Sequence, residues 1–273
     1  MAFRFLFLVA GLLFSSTVPA QSTDIDALLD EMVKVYGGEQ NLSKMDQMVQ
    51  EWALVARMGN RHGTDRRSVN LPVQLKVELT YPDKTESRIL NGANGFTIFG
   101  GQPAQAAAPH QRDAMILQLM RLYSPLALRV RKKALTLADN GSELVLTLSV
   151  HGVVSEYFVN KESRRIERVA GTLKINGNSM SFVTEYSDFK LVEGVLVHQR
   201  EDKYAGTVNT AQLQLRNIEF DAVFEENFFD PPVTGVDSLI TGNSIRIIAP
   251  PRSPAPAGQR VAEDLESGHG AAW

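Results

Sequence analysis

Val73-Gln74-Leu75-Lys76-Val77-Glu78-Leu79-Thr80-Tyr81 alternates apolar and polar residues without interruption. A strand sends successive side chains to opposite faces, so this stretch buries one face and wets the other. Pro82-Asp83-Lys84 turns the chain into a second strand, Thr85 to Leu90, and Asn91-Gly92 and Asn94-Gly95 mark turns around Phe96-Thr97-Ile98-Phe99. Strand-like content also covers Gln50 to Arg57, Glu143 to Val150, Val153 to Asn160, Ile166 to Ile175, Ser179 to Asp188, Val195 to Tyr204 and Thr207 to Phe220. Asn140-Gly141, Asn176-Gly177 and Glu193-Gly194 stand between them as turns. About ten strands in one antiparallel sheet are too many to lie flat, so the sheet should curl towards a barrel. The fold class is mainly β with some α.

Two helical regions interrupt this pattern. Ile25, Leu28, Leu29, Met32, Val33 and Tyr36 recur at helical spacing after Ser22-Thr23-Asp24 and stop at Gly37-Gly38, and a short helix follows over Glu39 to Asp46. In mid-chain, Gly100 to Pro109 reads as a loose linker into a helix over Asp113 to Leu128, which Pro125 should end or kink near Ser124. That helix carries a wide apolar stripe of Met115, Ile116, Leu119, Met120, Leu122, Tyr123 and Leu126. Such a stripe serves either as ordinary core or as a lid able to repack around apolar ligands.

The ends differ from the middle. Arg4, the apolar run Phe5 to Phe14 and the small residues Val18 and Ala20 have the order of a secretory signal peptide cleaved after Ala20. The expected divisions are therefore a signal peptide over 1–20, one binding unit over 21–248 and a disordered Pro-rich tail over 249–273. Without Arg4 the chain carries 27 basic and 31 acidic residues, which gives nucleic acid nothing to bind by charge. There is no cysteine, so disulfides, thiolate metal sites and a cysteine nucleophile are excluded.

Catalytic motifs are missing as well. His62, His110, His151, His198 and His269 stand at no metal-ligand spacing, and no Gly-x-Ser-x-Gly elbow occurs. Ser187-Asp188-Phe189-Lys190 matches a Ser-x-x-Lys frame but lies in a strand and turn context. Neither an enzyme activity nor a cofactor or metal is expected. Arg57, Arg61, His62, Arg66 and Arg67 surround Gly59 to Gly63 and read as a solvated hairpin tip, or else as a contact for lipid headgroups or an acidic partner.

Tyr157-Phe158-Val159-Asn160-Lys161-Glu162-Ser163 with Ile166, the run Tyr186 to His198, and Phe228-Phe229-Asp230-Pro231-Pro232 resemble the LolA-like family of outer-membrane lipoprotein-sorting proteins. The resemblance spans about Ile25 to Pro232. It implies an unclosed antiparallel β-barrel with a helical lid, enclosing an apolar cavity that carries lipid or lipoprotein acyl chains across the periplasm. Candidate lipid-binding residues are Trp52, Leu54, Leu75, Val77, Leu79, Phe96 and Ile98 from strands, with Met115, Leu119 and Leu122 from the helix, although most suit sealed core equally. The expected protein is a monomeric periplasmic carrier whose partners are acyl chains and inner- or outer-membrane acceptor proteins. The alternative is an envelope sensor or interaction module that uses the same fold to recognise a protein.

Overall fold

The computed structural model describes residues 24–175 and 177–232. The expected signal peptide with its cleavage after Ala20, and the Pro-rich tail, lie outside the described residues. Thirteen strands form one antiparallel sheet. They are β1 (Gln47–Ala56), β2 (Arg61–Asn70), β3 (Gln74–Thr80), β4 (Thr85–Asn91), β5 (Asn94–Phe99), β6 (Gln105–Ala106), β7 (Thr136–Asn140), β8 (Glu143–Val150), β9 (Val153–Asn160), β10 (Ile166–Ile175), β11 (Asn178–Val192), β12 (Val195–Ala205) and β13 (Val208–Phe220). Their order is β6-β5-β4-β3-β2-β1-β13-β12-β11-β10-β9-β8-β7. All neighbours but one are consecutive in the chain. The exception joins the first strand to the last, with Met48 opposite Phe220 and Ala56 opposite Ala211.

This order leaves β6 and β7 at opposite edges although they are neighbours in sequence. The connection between them must therefore cross the sheet, and it does so as the helices α3 (Pro109–Met120) and α4 (Pro125–Val130). Helix α3 touches β3, β4 and β5 from one half of the sheet and β9 and β10 from the other. It is a strap lying inside an unclosed barrel. Ala114 to Met120 are seven consecutive buried residues, and burial on every side is the mark of a helix inside a core.

Space for the strap comes from Gly171 on β10, where an added Cβ would lie 2.4 Å from a Leu117 methyl and 3.0 Å from the Val154 carbonyl. Gly171→Val should consequently cost about 1–3 kcal/mol by overpacking. Urea unfolding of the variant checks this, and an unchanged midpoint would mean that α3 does not press on β10.

The single helix expected over Asp113 to Leu128 is two helices. Pro125 has no N–H to donate and fits the first turn of α4, while the Ser124 hydroxyl accepts from the Ala127 N–H at 3.2 Å. Part of the expected linker is also ordered into the sheet, since β6 pairs with β5. β2, β6 and β7 raise the expected ten strands to thirteen. Helix α1 (Ile25–Val35) buries Leu28, Leu29, Met32 and Val33. A four-residue helix α2 (Glu39–Leu42) and a 3-10 turn then lead into β1. Around α1, Arg129 meets Asp30 and Glu39, Lys132 meets Asp26, and Arg164 meets Glu31. These exposed pairs each contribute little, so the apolar stripe holds α1 and the charges set its orientation.

Candidate functional site

The strands β2, β1, β13 and β12 lie side by side, and their inward faces carry charge where apolar side chains would be expected. Asp65 and Arg67 occupy alternate positions of β2, and Glu201 and Lys203 alternate positions of β12, all four at most 5 % exposed. Arg67 bonds Glu201 through two parallel contacts of 2.7 and 2.8 Å. It also donates to Asp65 Oδ2 at 2.9 and 3.1 Å. Three strand spacings separate β2 from β12, roughly 14 Å if flat. Arg67 closes that distance because the sheet curls and its side chain is long.

This overturns the reading of Arg67 as part of a solvated basic tip. Arg66 remains exposed on the other face of β2, and Arg61 pairs with Asp83 at the surface, but Arg67 is sealed. Its guanidinium lies 5.0 Å from the centre of the Trp52 ring. Trp52 Nε1 donates to Gln50 Oε1 at 3.2 Å, and His198 stacks on Trp52 with centroids 5.5 Å apart. The imidazole also contacts Tyr186 at 4.3 Å and Glu201 Oε1 at 3.2 Å.

Burial by itself would raise the Glu201 carboxyl, but the adjoining Arg67 guanidinium and its hydrogen bonds hold it well below the usual carboxylate range. Lys203 behaves oppositely. Burial first, and repulsion from Arg67 second, push its ammonium down to about 8 against partial support from Glu201 and Asp65. The charged lysine is thus disfavoured in the fold. Below the folded value both states are protonated and the penalty is complete, and it is relieved as pH rises from about 8 towards the unfolded value. Lys203→Met should therefore raise stability at pH 7, by roughly 1–3 kcal/mol. A melting series from pH 7 to 10 checks it: the unsubstituted protein gains stability over that range and the variant does not.

Beside this network lies a cavity of about 40 Å³ under the junction of α3 and α4. Tyr36, Met48, Gln50, Arg121, Leu122, Tyr157, Ile166, Tyr186 and His198 are among its walls. Tyr186 and Tyr157 donate their hydroxyls to the carbonyls of Arg121 and Met120, at 3.0 and 2.9 Å. Burial keeps both phenols protonated far above neutrality. They pin the last turn of α3 to β11 and β9. A volume of this size admits a few waters, at about 10–15 Å³ each, and no acyl chain.

Of the ten candidate lipid-binding residues, Leu122 lines this cavity. Trp52, Leu54, Leu75, Val77, Leu79, Met115 and Leu119 are all packed inside the sheet at 4 % exposure or less. Phe96 and Ile98 alternate with buried Gly95 and Thr97 on β5 and stand half-buried on its other face. The residues missed by pattern reading are the polar ones. Asp65 and Arg67 share the parity of buried Val69, and Glu201 and Lys203 that of buried Val195 and Val197, which is the signal that could have found them. Among the described residues no group of three His, Asp or Glu could hold a metal ion, and no helix is long and apolar enough to cross a membrane.

No family model and no curated protein matches the chain. Solved structures do match it. A LolA superfamily protein from Nitrosomonas europaea is 11 % identical, with a TM-score of 0.50 over 75 % of this chain and 96 % of its own. A domain from Vibrio parahaemolyticus named for outer membrane lipoprotein sorting is 9 % identical, with a TM-score of 0.45 over 74 % and 97 %. The first likeness establishes a LolA-like fold for this chain.

Proposed function

We propose, from the LolA-like fold and the strap that fills it, that this protein shelters lipid or lipoprotein acyl chains in the envelope and does so by binding, without covalent chemistry. The observation that carries the reading is the seat of α3. An apolar helix clamped inside an unclosed sheet holds, in the closed state, the volume that a cargo chain would occupy. Cargo enters as the strap moves out, and the acyl chain replaces the apolar contacts that α3 gives up. A 16-carbon chain withdrawn from water is worth on the order of 10 kcal/mol before ordering costs, at about 0.8 kcal/mol per methylene. That is comparable with the roughly 8–15 kcal/mol that exposing Met115, Ile116, Leu117, Leu119 and Met120 would cost, so cargo and strap exchange at near balance. Export after cleavage at Ala20 would bring the protein to the periplasm, between the membranes that supply and accept such chains.

Native mass spectrometry of the full exported chain after incubation with phospholipid vesicles tests the reading. The expected species carries one acyl-bearing molecule per chain. A spectrum of bare protein, both after incubation and after direct purification from the envelope, would overturn it.

A further inference from the structure

The charges beneath the strap nearly cancel, and the remainder indicates what the cavity takes. Asp65 and Glu201 face Arg67 and Lys203, two acids against two bases. Arg121, half-buried just past the end of α3, is a fifth charge with no ion pair among the described residues. Its Nε is fully buried and has no hydrogen-bond partner among the described residues. Burial lowers the affinity of this guanidinium for its proton, against partial support from Tyr186 and Glu201. A second donor on the same cavity is unspent: the Tyr36 hydroxyl accepts from the Ile166 N–H at 3.0 Å, so its own hydrogen remains free. Two donors, one of them cationic, thus meet in a space walled by apolar groups such as Met48, Leu122 and Ile166 together with the polar Gln50, Ser124 and His198.

We infer that this cavity is the head-group end of the cargo site, and that it takes a single oxyanion, carboxylate or phosphate, borne by an amphiphile. The inference rests on the carrier reading and specifies its ligand. Arg121 supplies the counter-charge and a planar pair of donors suited to an oxyanion, Tyr36 adds a neutral donor, and a space of a few waters takes the oxyanion group and excludes the tail. The tail follows the path vacated by the first turns of α3, while Tyr157 and Tyr186 keep its last turn, and Arg121 with it, in place.

Isothermal titration with dodecanoate, dodecanol and inorganic phosphate tests this on the full mature chain. The unsubstituted protein should bind the acid about ten- to hundredfold more tightly than the alcohol, as a charge-assisted contact in a dry site provides. Arg121→Gln should erase that ratio while melting at or above the unsubstituted protein, because a half-buried charge without an ion pair has been removed. The acid-to-alcohol ratio in the unsubstituted protein reads the site even if the variant does not fold. Equal binding of acid and alcohol overturns the oxyanion site and leaves the carrier reading standing. Phosphate bound as tightly as dodecanoate overturns the amphiphile as its source, and failure of both dodecyl compounds to bind overturns both readings. A folded Arg121→Gln melting well below the unsubstituted protein also counts against the proposal, since the guanidinium would then be satisfied by the protein itself.

Discussion

Arg67→Met is expected to lose about 3–5 kcal/mol of unfolding free energy at pH 7, because it leaves Asp65 and Glu201 buried without their hydrogen-bonded partner and with only Lys203, 3.9 and 3.7 Å away, to offset two charges. The loss should depend on pH with a definite sign. In the intact network Glu201 is held below its ordinary range, so its contribution is present above the unfolded carboxylate value and fades as pH falls through the folded one. Without Arg67, burial acts on the Glu201 carboxyl with its main opposition gone and raises it, so the variant regains relative stability when that group protonates. The gap between the two proteins should be widest near neutrality and narrow below about pH 4. Replacing Asp65, Arg67, Glu201 and Lys203 together by Leu or Met should restore most of the loss, since an apolar core needs no ion pairs. Urea titrations between pH 3 and 8 provide the measurement. A gap independent of pH would show that Arg67 matters through packing on Trp52 and not through charge.

The second large effect concerns the strap. Leu117→Ala removes a fully buried side chain at the contact with β10 and should cost about 2–5 kcal/mol of stability. If cargo binds after α3 leaves its seat, the same change should tighten acyl binding. Weakening the closed state raises the population able to bind, by about tenfold for each 1.4 kcal/mol until the open state dominates. Lower stability with higher affinity is an unusual pair of results for a core truncation. A cavity already formed in the closed protein would give the reverse, with lost contacts lowering affinity. Parallel denaturant and fatty-acid titrations of Leu117→Ala decide between them, and a fall in both quantities would end the displacement mechanism.

Much of the sheet was legible from local chemistry. Residues 73–81 announce their strand because one face is wet and the other apolar, and β3 spans Gln74–Thr80 with that burial alternation. Helix α1 shows its stripe between an Asp24 cap and two glycines, and Pro125 breaks the mid-chain helix because proline cannot continue a hydrogen-bond ladder. β2 escaped the same reading. Its inward positions hold Asp65 and Arg67, so a search for apolar alternation sees only a polar stretch. The reason for those charges sits 134 residues away, at Glu201.

Near-neighbour interactions along the chain set the repertoire of strands, turns and helices, and with it the kind of fold they make. Tertiary structure alone decided that β1 meets β13 and that the link from β6 to β7 must cross the interior as a strap. It also decided that Arg67 is sealed among acids while Arg121 is left beside a cavity without one. Whether a charged side chain meets water, a carboxylate or an empty space depends on partners brought together only by folding, and local pattern carries no record of them.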